Sequence, residues 1–130
     1  LVDAPCSGDG TFYVHERASF SHWSVDFVEK ISKLQKKLLL AALGVLKPAG
    51  ILVYSTCSVS PEENEEVLQN TFEKNSSVKT LPLANNIFFH PAIRAWNGIP
   101  YSLVQDARRI LPNLKAEGFF IAKMISCHLD

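Results

Sequence analysis

The sequence holds 130 residues, 47% of them hydrophobic, with 13 basic and 13 acidic residues and a formal charge of zero. That is the size of one globular unit with a single core, without the positive excess that a free-standing nucleic-acid binder usually carries. Three cysteines with no Cys-x-x-Cys pair argue against a disulfide framework and against a zinc site, and no apolar run approaches the roughly 18 residues of a membrane span.

Leu1–Ala4 reads as a short strand running into the loop Cys6-Ser7-Gly8-Asp9-Gly10-Thr11. A chain that opens inside a buried strand is unusual for a whole domain, so a portion of a longer domain is expected. After a loop rich in aromatic and polar residues, a long helix is predicted from Val25 to about Leu46. Phe27, Ile31, Leu34, Leu38, Ala42 and Val45 keep helical spacing as its inward stripe. Lys30, Lys33 and Lys37 lie opposite, with Asp26–Lys30 and Glu29–Lys33 as i,i+4 pairs, and Lys47-Pro48-Ala49-Gly50 is a stop signal.

Ile51-Leu52-Val53-Tyr54-Ser55-Thr56 has the near-continuous apolar and β-branched run of a buried parallel strand. Ser60-Pro61-Glu62-Glu63 offers an N-cap, a first-turn proline and a capping-box glutamate. A second helix is therefore expected to about Lys74, with Val67, Leu68 and Phe72 inward and the Glu62–Glu66 run read as a capping feature. Val78–Leu83 is a candidate third strand and Glu117–Ile125 a fourth. Ala84–Leu114 has no clean period and reads as an ordered insertion with a short helix near Ser102–Ile110. Alternating strands and helices point to an α/β sheet with right-handed crossovers.

In such sheets the chemistry sits beyond the carboxyl ends of the strands. Cys6 follows the first strand and Cys57 the second; as parallel neighbours, strands lie about 4.8 Å apart, which would place both thiols in one crevice. Cys57 also precedes a helix start, whose dipole favours a thiolate. The bland alternative, two small inert buried cysteines, is as good a reading on these grounds alone.

The residues around each thiol break that tie. Asp3-Ala4-Pro5-Cys6-Ser7-Gly8-Asp9-Gly10-Thr11 and Tyr54-Ser55-Thr56-Cys57-Ser58, with Pro61-Glu62-Glu63-Asn64-Glu65, resemble the NOL1/NOP2/Sun family of RNA cytosine-5 methyltransferases. Gln35, Lys47-Pro48, Arg109-Ile110-Leu111-Pro112 and Gly118-Phe119-Phe120 are similar to that family as well, although Asn113 and Glu117 stand where members commonly have His and Asp. The resemblance implies an α/β, Rossmann-like, S-adenosylmethionine-dependent methyltransferase fold, of which residues 1–130 are the later strands and helices. The cofactor-binding N-terminal half of the same domain would be a missing partner.

It further implies Cys57 as the nucleophile, Cys6 as the release residue and Asp3 at the polar edge of the cytosine. Asp3 and Pro5 would face S-adenosylmethionine, and Pro5, Ser7, Gly8, Thr56, Ser58 and Arg109 would face the RNA, ribosomal or transfer. The chemistry is coherent: carbon 5 of cytosine is a weak nucleophile until a thiolate adds to carbon 6, and a base must then remove the carbon-5 proton. Residues 1–130 alone are expected to bind cofactor weakly and to be inactive. The expected location is a reducing compartment, the cytoplasm, or the nucleus or nucleolus of a eukaryote.

Other features read more quietly. His15, His22, His90 and His128 are scattered, so no metal site is expected; Trp23 and Trp96 read as packing residues and Cys127 as a bystander. Arg94 and Arg108 join Arg109 as candidates for phosphate contact. A phosphatase loop on Cys6 would need arginine where Phe12 stands. The non-enzymatic alternative is a truncated or inactive methyltransferase half acting as an RNA- or protein-binding module.

Overall fold

The computed structural model describes residues 1–13 and 15–127; His128 lies outside them. A mixed sheet carries one helical layer. Strand β1 (Val2–Asp3) leads through short 3-10 turns to helix α1 (Val25–Gly44), then β2 (Ile51–Thr56), α2 (Glu65–Lys74) and β3 (Val78–Leu81). The rest is β4 (His90–Pro91), β5 (Ala95–Trp96), β6 (Ile99–Pro100), β7 (Arg108–Ile110) and β8 (Phe119–Ser126). Among the described residues no helix is long and apolar enough to cross a membrane.

Strand β1 pairs parallel to β2 in the register Asp3↔Ser55, and the Ala4 N–H extends the ladder to the Ser55 carbonyl at 2.9 Å. The last strand, β8, runs antiparallel along β2 from Ile51↔Ile125 to Thr56↔Phe120. Its other edge holds β3 and β7, both antiparallel. The candidate third strand therefore does not join β2; the fourth is inserted between them. Among the described residues one face of β8 is covered: Phe120, Ala122 and Met124 point into the core while Phe119, Ile121 and Ile125 stay half-exposed. The apolar run of β2 reads as doubly buried, yet Ile51 is exposed.

Helix α1 starts where Ser24 Oγ accepts the Phe27 N–H at 3.1 Å. Its buried face is Val28, Ser32, Gln35, Leu39 and Leu43, one position round from the expected stripe; Leu34, Leu38 and Val45 are exposed. Ser32 and Gln35 go inward because their side chains have partners there, Glu62 O at 2.6 Å and Pro5 O at 2.9 Å. The expected Asp26–Lys30 and Glu29–Lys33 pairs are not formed; the ion pair on this helix is Lys36–Glu66, at 2.9 Å, which ties α1 to α2.

The second helix is broken at its start. Pro61–Glu63 form a 3-10 turn, and Asn64 at φ −116, ψ −96 separates it from α2. Ser60 does not cap the helix; its hydroxyl donates to Asp9 Oδ2. In the Ala84–Leu114 segment the helix expected near Ser102–Ile110 is absent: turns there bury Tyr101, Val104 and Ala107, then β7 follows. The segment also holds a hairpin, β5–β6, closed by Asn97 and Gly98 at φ 48 and 77, the positive-φ pair that two-residue hairpin loops favour.

Candidate active site

Parallel pairing of β1 and β2 brings their carboxyl ends together, and the residues that follow carry the two cysteines. The Sγ atoms of Cys6 and Cys57 lie 2.7 Å apart, half-buried, although 51 positions separate them in the chain.

Backbone contacts weld the two loops. Gly8, at φ 75, turns the chain into the 3-10 turn Asp9–Thr11. The Gly10 N–H then donates to the Cys57 carbonyl at 3.0 Å, and the Gly118 N–H, at the start of β8, donates to the Gly10 carbonyl at 2.7 Å. No side chain fits at Gly10: a Cβ would stand 2.5 Å from the Gly118 carbonyl oxygen and 2.6 Å from that of Cys57. Asp9 adds a carboxylate tie, Oδ1 accepting the Val59 N–H at 2.7 Å and Oδ2 the Ser60 hydroxyl.

Between the two cysteine loops lies Glu63, fully buried. Its Oε2 accepts the Ser7 N–H and the Gln35 side-chain amide, both at 2.9 Å, and its Oε1 accepts the Ser58 hydroxyl at 3.0 Å. The Tyr54 hydroxyl donates to the Glu63 carbonyl at 2.8 Å. Thr56 donates to Asn64 Oδ1 at 2.6 Å, and the Asn64 amide returns a bond to the Ser58 carbonyl at 2.8 Å.

These surroundings act on the Cys6 thiol. Burial, and then the hydrogen bond to Cys57, push the Cys6 thiol up to about 12, so Cys6 keeps its proton in neutral solution. Burial likewise drives the Tyr54 phenol far above its ordinary range, helped by the nearby Glu63.

Of the residues singled out from the sequence, Cys6, Cys57, Asp3 and Pro5 assemble on one lip. Asp3 and Pro5 are exposed; Asp3 Oδ1 accepts the Ser55 hydroxyl at 2.7 Å, and its second oxygen has no protein partner among the described residues. Gly8 is half-buried and Ser7 buried. Thr56 and Ser58, expected to face a substrate, are fully buried and spend their hydroxyls on Asn64 and Glu63. Arg109 is also corrected. It is buried, its Nε and Nη2 donate to the two Glu65 oxygens at 2.6 and 2.5 Å, and its Nη1 donates to the Val59 carbonyl at 2.8 Å. No edge of that guanidinium is left for a phosphate. Arg94 is exposed, while Arg108 is half-buried against the Gln105 and Ala107 carbonyls.

Sequence reasoning missed Glu63 and Glu65 as buried groups, because a first-turn acidic run looks the same whether it caps a helix or is swallowed by the fold. It also missed the cavity of about 420 Å³ that opens beside Val59 and Pro61 between Trp23, Val28 and Trp96. Trp96 is set there by a bond from its indole N–H to Glu62 at 2.9 Å. His22 packs edge-on against Phe12 and Phe27 and contacts the Ser7 carbonyl at 3.2 Å. Among the described residues no three His, Cys, Asp or Glu side chains gather into a metal cage.

Comparisons with known proteins place the chain among methyltransferases. The chain is 46% identical, over 95% of its length, to the tRNA (cytosine(49)-C(5))-methyltransferase of Pyrococcus abyssi, covering 40% of that protein. It is 36% identical, over 98% of its length, to the ribosomal RNA small subunit methyltransferase F of Aeromonas salmonicida, covering 25% of it. Among solved structures, a methyltransferase homolog protein from Pyrococcus horikoshii superposes with a TM-score of 0.78 at 41% identity, over 97% of this chain and 38% of that one. NSun6 from the same organism, solved with SFG, gives 0.75 at 29%, over 99% and 30%. The chain thus spans from a quarter to two-fifths of the length of these relatives. A sequence model of the 16S rRNA methyltransferase RsmB/F family matches residues 1–125, and the chain belongs to that family.

Proposed function

We propose that the protein containing these residues transfers a methyl group to carbon 5 of a cytosine in ribosomal or transfer RNA, with Cys57 as nucleophile and Cys6 as release residue. The observation that carries this reading is the 2.7 Å approach of two thiols from two strand ends, in a chain whose relatives are rRNA and tRNA methyltransferases.

In the proposed reaction the Cys57 thiolate adds to carbon 6, and the electron pair of the 5,6 double bond moves toward carbon 5. Asp3, exposed at the end of β1 with one oxygen free, holds the polar edge of the ring. Carbon 5 takes the methyl group. Cys6, its own proton passed to water, removes the carbon-5 proton; that electron pair re-forms the double bond and expels the Cys57 thiolate. A thiol that burial keeps protonated is a poor nucleophile, which supports giving the attack to the other cysteine. A base paired in folded RNA must first be flipped out, and the cavity between Trp23 and Trp96 offers a stacking surface beside the emerging base.

S-adenosylmethionine would supply the electrophilic methyl. Asp3 and Pro5 fit one wall of its pocket, being exposed beside Cys6, and the structural relative NSun6 was solved with SFG.

The deciding experiment incubates the full-length protein with radiolabelled S-adenosylmethionine and total RNA. Label in cytosine that disappears with Cys57→Ala supports the reading. Full activity in Cys57→Ala, or none in the wild type on any RNA, refutes it; an inactive wild type that still binds RNA favours the alternative of a binding module.

A further inference from the structure

Two buried carboxylates stand two positions apart after Cys57, and they are treated differently. Glu65 is neutralised by Arg109. Glu63 is fully buried and has no Lys, Arg or His within ion-pair distance among the described residues. Removing a carboxylate from water without a cation is costly, and an apolar residue of the same shape would avoid that cost. All the compensation comes from hydrogen bonds, and their donors lie in three separate pieces of chain. Ser7 is next to Cys6, Ser58 is next to Cys57, and Gln35 sits in the middle of α1. The Gln35 amide also holds the Pro5 carbonyl, on the other side of Cys6. No hydrogen bond joins Glu63 to either sulfur.

We infer that Glu63 is the positioning residue of the thiol pair: its two acceptor oxygens hold the Cys6 loop and the Cys57 loop in register through Ser7 and Ser58, with α1 as the fixed anchor. The register of the thiols is a property of the fold, and the inference rests on the proposed methyl transfer only for its kinetic consequence. Two features of the surroundings agree. The Glu63 backbone is itself fixed by Tyr54 of β2, so the clamp is mounted on the strand that carries Cys57. The Ser58 hydroxyl also accepts the Ser60 N–H at 3.0 Å, which shapes the turn after Cys57.

Thiol closure reports the register without any need for methyl transfer. Diamide, an azo oxidant, takes two electrons and two protons from a thiol pair, which becomes a disulfide while the azo group becomes a hydrazine. The test uses the full-length protein in a Cys127→Ser background, counts free thiols against time, and reads the melting temperature in parallel. Glu63→Met removes both acceptors at similar volume and should slow Cys6–Cys57 closure by about tenfold or more. Glu63→Gln, whose oxygen still accepts from Ser7 and Gln35 while its amide faces the Ser58 hydroxyl, should restore closure to within about threefold of wild type. Phe72→Leu, a core change at the far end of α2, should lower the melting temperature and leave closure unaltered.

A folded Glu63→Met that closes at the wild-type rate overturns the inference. If Glu63→Met does not fold, Ser58→Ala decides, because it removes only the Cys57 arm: slowed closure supports the clamp and wild-type closure sinks it. On RNA, Glu63→Met and Ser58→Ala should lose kcat with KM for RNA unchanged, and Glu63→Gln should recover it. Slowed closure in a protein that methylates no RNA would refute the proposed function and leave the clamp standing.

Discussion

The sulfur of Cys6 approaches that of Cys57 to 2.7 Å, well inside ordinary sulfur–sulfur contact. The loops impose that approach: the Gly10–Cys57 and Gly118–Gly10 backbone bonds, the Asp9 carboxylate and Glu63 all act on the same two segments.

The two cysteines should therefore fail in different ways. In the proposed reaction Cys57→Ala forms no covalent complex with RNA. Cys6→Ala completes addition and methylation but cannot remove the carbon-5 proton, so a protein–RNA adduct accumulates. Denaturing gels with labelled RNA and S-adenosylmethionine read both outcomes; an adduct with Cys57→Ala, or none with Cys6→Ala, reverses or removes the assignment.

Alkaline titration tests the Cys6 environment. Its thiol is raised from an ordinary 9.0 to about 12 by burial and by Cys57, so the folded state binds this proton more tightly than the unfolded chain does. The stabilisation is fully present below pH 9.0 and is lost as pH rises through about 12. Denaturant midpoints should fall across that window and fall less in Cys6→Ala. At neutral pH, mass mapping of iodoacetamide adducts should find exposed Cys127 modified well before Cys6.

Arg109→Met should destabilise the fold by about 3–5 kcal/mol, because it strands a buried Glu65 carboxylate. Pairing it with Glu65→Met should recover most of that loss, as replacing a whole buried ion pair with apolar groups is often near neutral. Urea denaturation of the two variants measures both steps. A single variant with wild-type stability would show that the pair contributes nothing.

Gly10→Ala places a Cβ against the Gly118 and Cys57 carbonyls, and neither backbone can yield without moving a strand. A loss of about 1–3 kcal/mol is expected, with a fall in methylation larger than stability alone explains, because the Cys57 carbonyl is pushed from its place. Gly44→Ala, where a Cβ meets nothing within 4 Å, should stabilise the end of α1 by about 1 kcal/mol. Thermal melts and single-turnover assays separate the two.

How far these elements can be read from sequence depends on what each signal encodes. The strand Ile51–Thr56 and the Lys47-Pro48 stop are local, and both are found where expected. The inward face of α1 is not local. Leu38, Leu39, Leu40 and Leu43 put apolar groups on several sides, and the decision falls to Ser32 and Gln35, whose hydrogen-bond partners lie some thirty positions away. Strand direction leaves no periodic trace either, so the antiparallel course of β8 was hidden. The cysteine lip was legible because its motifs flank both strand ends; Glu63 was not, since its burial depends on Ser7 and Gln35 arriving from elsewhere. Asn97-Gly98 was a readable hairpin signal that went unused.

The floor under the thiols is laid by the Gly118 N–H and by the Thr56↔Phe120 pairing of β8, which leave the ribosome long after both cysteines have been made. At about 5–20 residues per second, the nascent chain carries both cysteine motifs, and every residue of the Glu63 clamp, for several seconds before β8 arrives to close the sheet beside them. The sheet is thus closed from its carboxyl end, by a strand made after every group that positions the thiols.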